Sequence, residues 1–176
     1  MKSILRTAAA GVAIASFGFA PAASAATTAQ ADARAEILTA LSVAVVPADN
    51  VLNFGTLADG GIAASTPVVL GANGTIAACP ANLQCGGTTN APSFTIEGLP
   101  TLLVNVTFEN ATETLTHSGG LDTLTAGTFT TDLVGNQVAL DAGGDATFAV
   151  GGTLTVDPGQ VPGIYTGSVT VEVAYN

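Results

Sequence analysis

Apolar and polar positions alternate through the last stretch of the chain. From Tyr165 the odd positions read Tyr165, Gly167, Val169, Val171, Val173 and Tyr175, and the even positions read Thr166, Ser168, Thr170, Glu172, Ala174 and Asn176. A period of two puts one set on each face of a pleated strand, and valine and tyrosine suit a half-buried sheet surface. With no later strand to pair its second side, this strand is expected to carry an open edge that must be paired, covered or used.

A second alternation runs from residue 29 to 46. Its odd positions are Ala29, Ala31, Ala33, Ala35, Ile37, Thr39, Leu41, Val43 and Val45, while Gln30, Asp32, Arg34 and Glu36 occupy the even ones. Alanine and glutamate also favour a helix over Gln30 to Leu38, whereas Ile37 to Val46 reads as a strand that Pro47 ends. Between the two alternations come short strands at Val51–Leu57, Thr66–Leu70, Ser93–Glu97, Leu102–Phe108, Thr128–Leu133, Val138–Leu140, Ala146–Val150 and Thr153–Val156. Ser93–Glu97 and Leu102–Phe108 are expected to form a hairpin around Gly98-Leu99-Pro100. Gly60-Gly61, Gly71 to Gly74, Ser118-Gly119-Gly120, Asp141 to Asp145, Gly151-Gly152 and Pro158-Gly159 supply the breaks. Short strands with a turn every ten residues or so predict an antiparallel β-sandwich.

The first 25 residues do not belong to that fold. Lys2 and Arg6, the apolar run Ala8 to Ala20 and Ala23-Ser24-Ala25 have the order of a secretory leader with its cleavage site. The run is short for a membrane anchor. The expected organisation is a leader over 1–25, an N-terminal extension over 26–36 and a sandwich domain over 37–176. Of the whole chain, 48% is hydrophobic and only 9% charged, enough apolar surface for a core and too little charge for a disordered protein.

Cleavage leaves Arg34 as the one permanent cation against 13 carboxylates, a net charge of −12. Such a surface cannot neutralise phosphates, which excludes nucleic acid and anionic membrane surfaces as partners. Export would place Cys79 and Cys85, the two cysteines, in an oxidising compartment. A disulfide closing that small loop would contribute about 2 kcal/mol. The spacing is not that of a Cys-x-x-Cys redox pair, and a metal site would need more ligands than one histidine supplies.

Catalytic chemistry finds little material. His117, the one histidine, sits beside a glycine turn, and no nucleophile-elbow motif is present. Asp59, Asp122, Asp141 and Asp145 lie in glycine-rich turns without the spacing of a calcium loop, so they read as solvated turn residues. No catalytic residue, metal ligand or cofactor is expected.

Phe148 to Leu154, then Gly163-Ile164-Tyr165-Thr166-Gly167, then Val169 to Tyr175 resemble the C-terminal signature of the DUF4402 family of exported bacterial proteins. Leu52-Asn53-Phe54-Gly55-Thr56-Leu57 resembles the early Phe-Gly motif of that family. Pro158-Gly159-Gln160, Gly163-Ile164-Tyr165 and the alternating end also resemble spore-coat-U-type and archaic chaperone–usher pilin subunits. That second resemblance implies an immunoglobulin-like sandwich, left incomplete and finished by a strand donated from another subunit. It also implies a fimbria at the surface of a Gram-negative cell, reached through the periplasm with a chaperone and an outer-membrane usher.

The residues expected to carry this function are therefore Ala31, Ala33, Ala35 and Ile37 as the donor strand. Tyr165, Val169, Val171, Val173 and Tyr175 are expected beside the acceptor groove. Partners would be other copies of the chain or related subunits. The alternative is a monomer whose residues 31–46 pair with its own last strand, serving as a secreted or periplasmic module that binds glycans or surfaces.

Overall fold

A single strand of twelve residues, Asp145–Val156, holds most of the sheet together. Phe148, Val150, Leu154 and Val156 point into the core, Gly151 and Gly152 are buried between them, and Ala149, Thr153 and Thr155 sit half-covered. The computed structural model describes residues 29–176, so the leader, its cleavage site and residues 26–28 lie outside the described residues. Numbered in chain order, the strands are β1 (Ser42–Val45), β2 (Thr56–Asp59), β3 (Thr66–Leu70), β4 (Leu83–Gly86), β5 (Ser93–Glu97), β6 (Leu103–Phe108), β7 (Thr112–His117), β8 (Thr123–Thr131), β9 (Gln137–Ala139), β10 (Asp145–Val156), β11 (Tyr165–Thr166) and β12 (Val171–Tyr175). The described residues contain no α-helix, and every strand pair is antiparallel. Ile37–Asn176 forms one compact unit.

The fold is an all-β sandwich of one broad layer and one divided layer. The broad sheet runs β1-β5-β10-β8-β7-β11. β5 pairs with the first half of β10 and β3 with its second half, while β8 pairs along the opposite edge. Facing it are a three-stranded sheet, β12-β6-β9, and a two-stranded ribbon, β2-β4. Each cover makes its own half of the core. Val104, Val106 and Val171 of the three-stranded sheet pack with Phe94, Ile96, Phe148 and Val150 of the broad one. The Phe94 and Phe148 rings stack at 5.3 Å. The ribbon side supplies Phe54, Ile62 and Leu83 to a second cluster with Val68, Leu70, Leu124, Ala126, Leu154 and Val156. A disulfide joins Cys79, in the loop leading into β4, to Cys85 within that strand.

Several expected elements take a different form. Residues 29–41 carry neither strand nor helix; the second alternation becomes a strand only at Ser42. A period of two is a permissive signal, and a strand is realised only where a backbone partner satisfies it. Ser93–Glu97 and Leu103–Phe108 are strands but not a hairpin. β5 pairs with β1 and β10, β6 with β12 and β9, and residues 98–102 cross from one layer to the other. Gly151-Gly152 is no turn: it is a bulge inside β10. A Cβ at Gly151 would stand 2.5 Å from the Leu70 carbonyl oxygen, so only glycine lets β3 approach there.

The acidic turns are closed by their own backbone. The Asp59 carboxylate accepts hydrogen bonds from the Gly61 and Ile62 amides at 2.7 and 2.8 Å. Asp141 accepts from Gly143 and Asp145 at 2.8 and 2.9 Å. These donors favour the charged form and hold both carboxyls below their usual value of 3.8; the Ile62 amide leads for Asp59 and the Asp145 amide for Asp141. A folded pKa below the unfolded one adds stability that is complete above about pH 4 and is lost as the pH falls through the folded value. The urea midpoint should therefore drop between pH 4 and pH 2. An Asp59→Ala, Asp141→Ala double variant should be less stable at pH 7 and show a flatter profile over that interval.

Candidate functional site

The division of the second layer opens a groove. Its floor is the broad sheet, which contributes Phe94 of β5, Val150 of β10, Ala126 of β8 and Leu115 of β7 to the lining. One wall is Asn50 to Leu52 with Phe54, and the other is Gly167 to Val171; Val43 and Val45 of β1 close a further side. The enclosed volume is about 480 Å³. One water occupies about 30 Å³ in the liquid, so the space admits several side chains. The lining is mostly apolar, with Asn50, Ser168, Thr170 and Glu113 as its polar members, and Glu113 is the one ionisable residue among the described residues that line it.

The path of the last stretch explains the groove. β11 belongs to the broad sheet, with Tyr165 opposite His117 on β7. The Tyr165 hydroxyl donates to the Val161 carbonyl and accepts from the Gln160 amide, both at 2.7 Å. The Gly119 amide donates to His117 Nδ1 at 3.1 Å, so Nε2 carries the proton and faces the Pro162 carbonyl at 3.3 Å. A Cβ at Gly163 would collide with this imidazole. The chain then leaves the broad sheet. Gly167, Ser168 and Val169 join no strand, and a Cβ at Gly167 would sit 2.9 Å from the Thr114 carbonyl oxygen. From Val171 the chain pairs with β6 in the opposite layer.

Two backbone edges border the opening. Among the described residues, β12 is paired on one side only, by β6, and β1 on one side only, by β5. Near the end of β12 the two approach each other. The Tyr175 hydroxyl donates to the Thr39 carbonyl at 3.0 Å and accepts from the Leu99 amide at 2.7 Å. Gly98 makes room for that ring, since a Cβ there would lie 2.5 Å from the Tyr175 hydroxyl.

The residues singled out from the sequence divide around this groove. Val169 and Val171 line it; Val169 is half-buried and Val171 is buried. Tyr165 packs instead against the ribbon-side half of the core, and Val173 and Tyr175 against the other half. Ala31, Ala33 and Ala35 are exposed in a segment without regular structure, and Ile37 is 96% exposed. Sequence reasoning missed Val43, Leu52, Phe54, Phe94, Leu115, Ala126 and Val150 as a shared lining. Val43, Leu52, Phe54, Phe94 and Val150 lie in expected strands and Leu115 and Ala126 outside them, and the seven come from six separate segments that only pairing brings together.

A family model matches residues 43–175, from β1 to the end of β12; its description is Domain of unknown function (DUF4402). The chain belongs to this DUF4402 family. No curated protein matches the chain. The matched span contains the groove and both of its edges, so the groove is a feature of the domain itself.

The Tyr175 hydroxyl fastens the terminal strand by two hydrogen bonds from a half-buried position. Removing it in Tyr175→Phe leaves the ring in place but deprives the Leu99 amide of its acceptor. Urea unfolding should show a loss of about 1–3 kcal/mol.

Proposed function

We propose that this DUF4402 chain is an immunoglobulin-like structural subunit of an extracellular filament, assembled when the N-terminal segment of one copy enters the groove of the next. The observation that carries the reading is the groove itself: an apolar floor flanked by the free edges of β1 and β12. A strand laid there meets unsatisfied amides and carbonyls on its edges and apolar side chains beneath it. Those are the requirements of strand addition. The groove offers little for catalysis, with Glu113 as the sole ionisable residue among the described residues that line it.

The segment 29–37 is suited to the role by its alternation, with Ala31, Ala33, Ala35 and Ile37 on one side. Ile37, a β-branched side chain, is its largest knob. The alanines weaken the fit, since each alanine in place of leucine forgoes about 1–2 kcal/mol of apolar burial. Ladder hydrogen bonds then carry a larger share of the affinity. An uncovered apolar groove with open edges is an aggregation hazard before assembly. A periplasmic chaperone that covers it and an usher that exchanges it for the incoming segment fit that need. The leader read in residues 1–25 supports export into the periplasm, from which the usher would carry the subunit to the cell surface.

Deleting residues 26–36 tests the reading. The truncated subunit should be exported and folded, with an unchanged disulfide and circular dichroism spectrum, yet form no fibres by electron microscopy and run as one small species on size exclusion. Arg34 is the only site for trypsin in the mature chain, so it reports on the segment directly. It should be cut in isolated subunits and protected in filaments. Fibres formed by the deletion variant would overturn the reading, and a monomer already protected at Arg34 would favour pairing of the segment within its own molecule.

A further inference from the structure

The proposed donor segment has a register problem. Ala29, Ala31, Ala33 and Ala35 are identical side chains spaced two apart, so a slip by two residues presents nearly the same face to the groove. Register in a strand is set by the pattern it buries, and a uniform pattern sets it weakly. Some aperiodic feature must fix the position.

One is available in the charges. Arg34 is the only cation of the mature chain. Among the described residues its one ionic contact is with Glu36, at 3.4 Å, and the two side chains are 88% and 67% exposed. An exposed pair of this kind contributes little and leaves the guanidinium available. On the other side, Glu113 is the only ionisable residue among the described residues that line the groove. It is half-buried on the same side of β7 as Leu115, and among the described residues its carboxylate accepts one hydrogen bond, from the Asn110 side-chain amide at 3.1 Å. A carboxylate at the rim of an apolar groove accepts a second partner readily, and a planar guanidinium matches it with two parallel N–H donors.

We propose that Arg34 of the incoming segment docks on Glu113 of the receiving subunit and that this ion pair sets the register and direction of strand addition. The inference rests on the filament reading and adds a specificity-determining pair to it. With the odd positions facing the floor, Arg34 lies on the outer side of the donor strand. Its long side chain then folds over the groove edge to reach the rim carboxylate, and Ile37, three residues on, enters the apolar floor. A slip by two residues would move the guanidinium about 7 Å along the strand and leave Glu113 unmatched. The same pair discriminates against other segments of this acidic chain, because like charge at the rim opposes their entry.

The test uses full-length mature subunits. Arg34→Glu and Glu113→Arg are made singly and together, and polymer yield and elongation rate are measured at low and high salt. Thermal unfolding of each monomer controls for folding. Each single variant should slow elongation about tenfold at low salt, the double variant should restore it to within about twofold, and the differences should shrink at high salt. Single variants that elongate like the wild type, or a double variant no better than either single one, would overturn the register pair and leave the filament reading standing. A wild-type subunit that never polymerises would remove both.

Discussion

The last stretch of this chain belongs to two sheets, and the rest of the architecture follows from that constraint. Tyr165 and Thr166 pair with β7 in the broad layer, whereas Val171 to Tyr175 pair with β6 in the divided one. A backbone that changes layers must give up its ladder for the residues in between. Gly167 to Val169 are those residues, and glycine at 167 lets the crossing pass close to the Thr114 carbonyl. The crossing separates the two covers of the broad sheet, and the groove lies along that separation. β10 makes the arrangement tolerable: its two halves serve different halves of the core, so each cover has a complete apolar face to rest on.

Packing and polarity divide the work. The two core clusters are built from side chains that are almost wholly buried, and no buried side-chain nitrogen or oxygen among the described residues lacks a partner. Interiors of that kind leave little to gain from further burial. The groove is the exception, with Val45 41% and Val51 56% exposed around it. Local hydrogen bonds from two tyrosines and a histidine hold the surrounding backbone rather than filling the space. Tyr165 and His117 fix the start of the last stretch to the broad sheet, and Tyr175 fixes its end beside Thr39 and Leu99. The groove is therefore anchored at both ends while its middle stays open, which suits the proposed role of receiving a strand from outside.

The charge distribution acts at longer range. A mature chain carrying 13 carboxylates and one arginine repels copies of itself almost everywhere. In the proposed filament, association would have to come from burial and backbone pairing at one place, with the single cation available to guide it. A groove that was both apolar and basic would attract the acidic surface at random; this one presents a carboxylate, Glu113.

The sequence by itself determined the class of the fold. Alternation marked Thr66–Leu70 and Ser93–Glu97 to the residue and placed β6 and β12 closely, because a strand with one buried face writes its period of two into its own residues. It also marked Cys79 and Cys85 as a disulfide loop, since their closeness along the chain decides the pairing. Tertiary structure alone decided which strands are neighbours. The expected hairpin of β5 and β6 became a crossing between layers, the final strand broke at Gly167, and residues 29–41 kept their alternation without a strand. Each of these turns on whether a distant backbone stands within hydrogen-bonding reach, and no local pattern records that. The groove was illegible for the same reason: Phe54, Phe94 and Val150 fall in strands that read as ordinary sandwich strands, and only the gap between two covering sheets brings them to a shared lining.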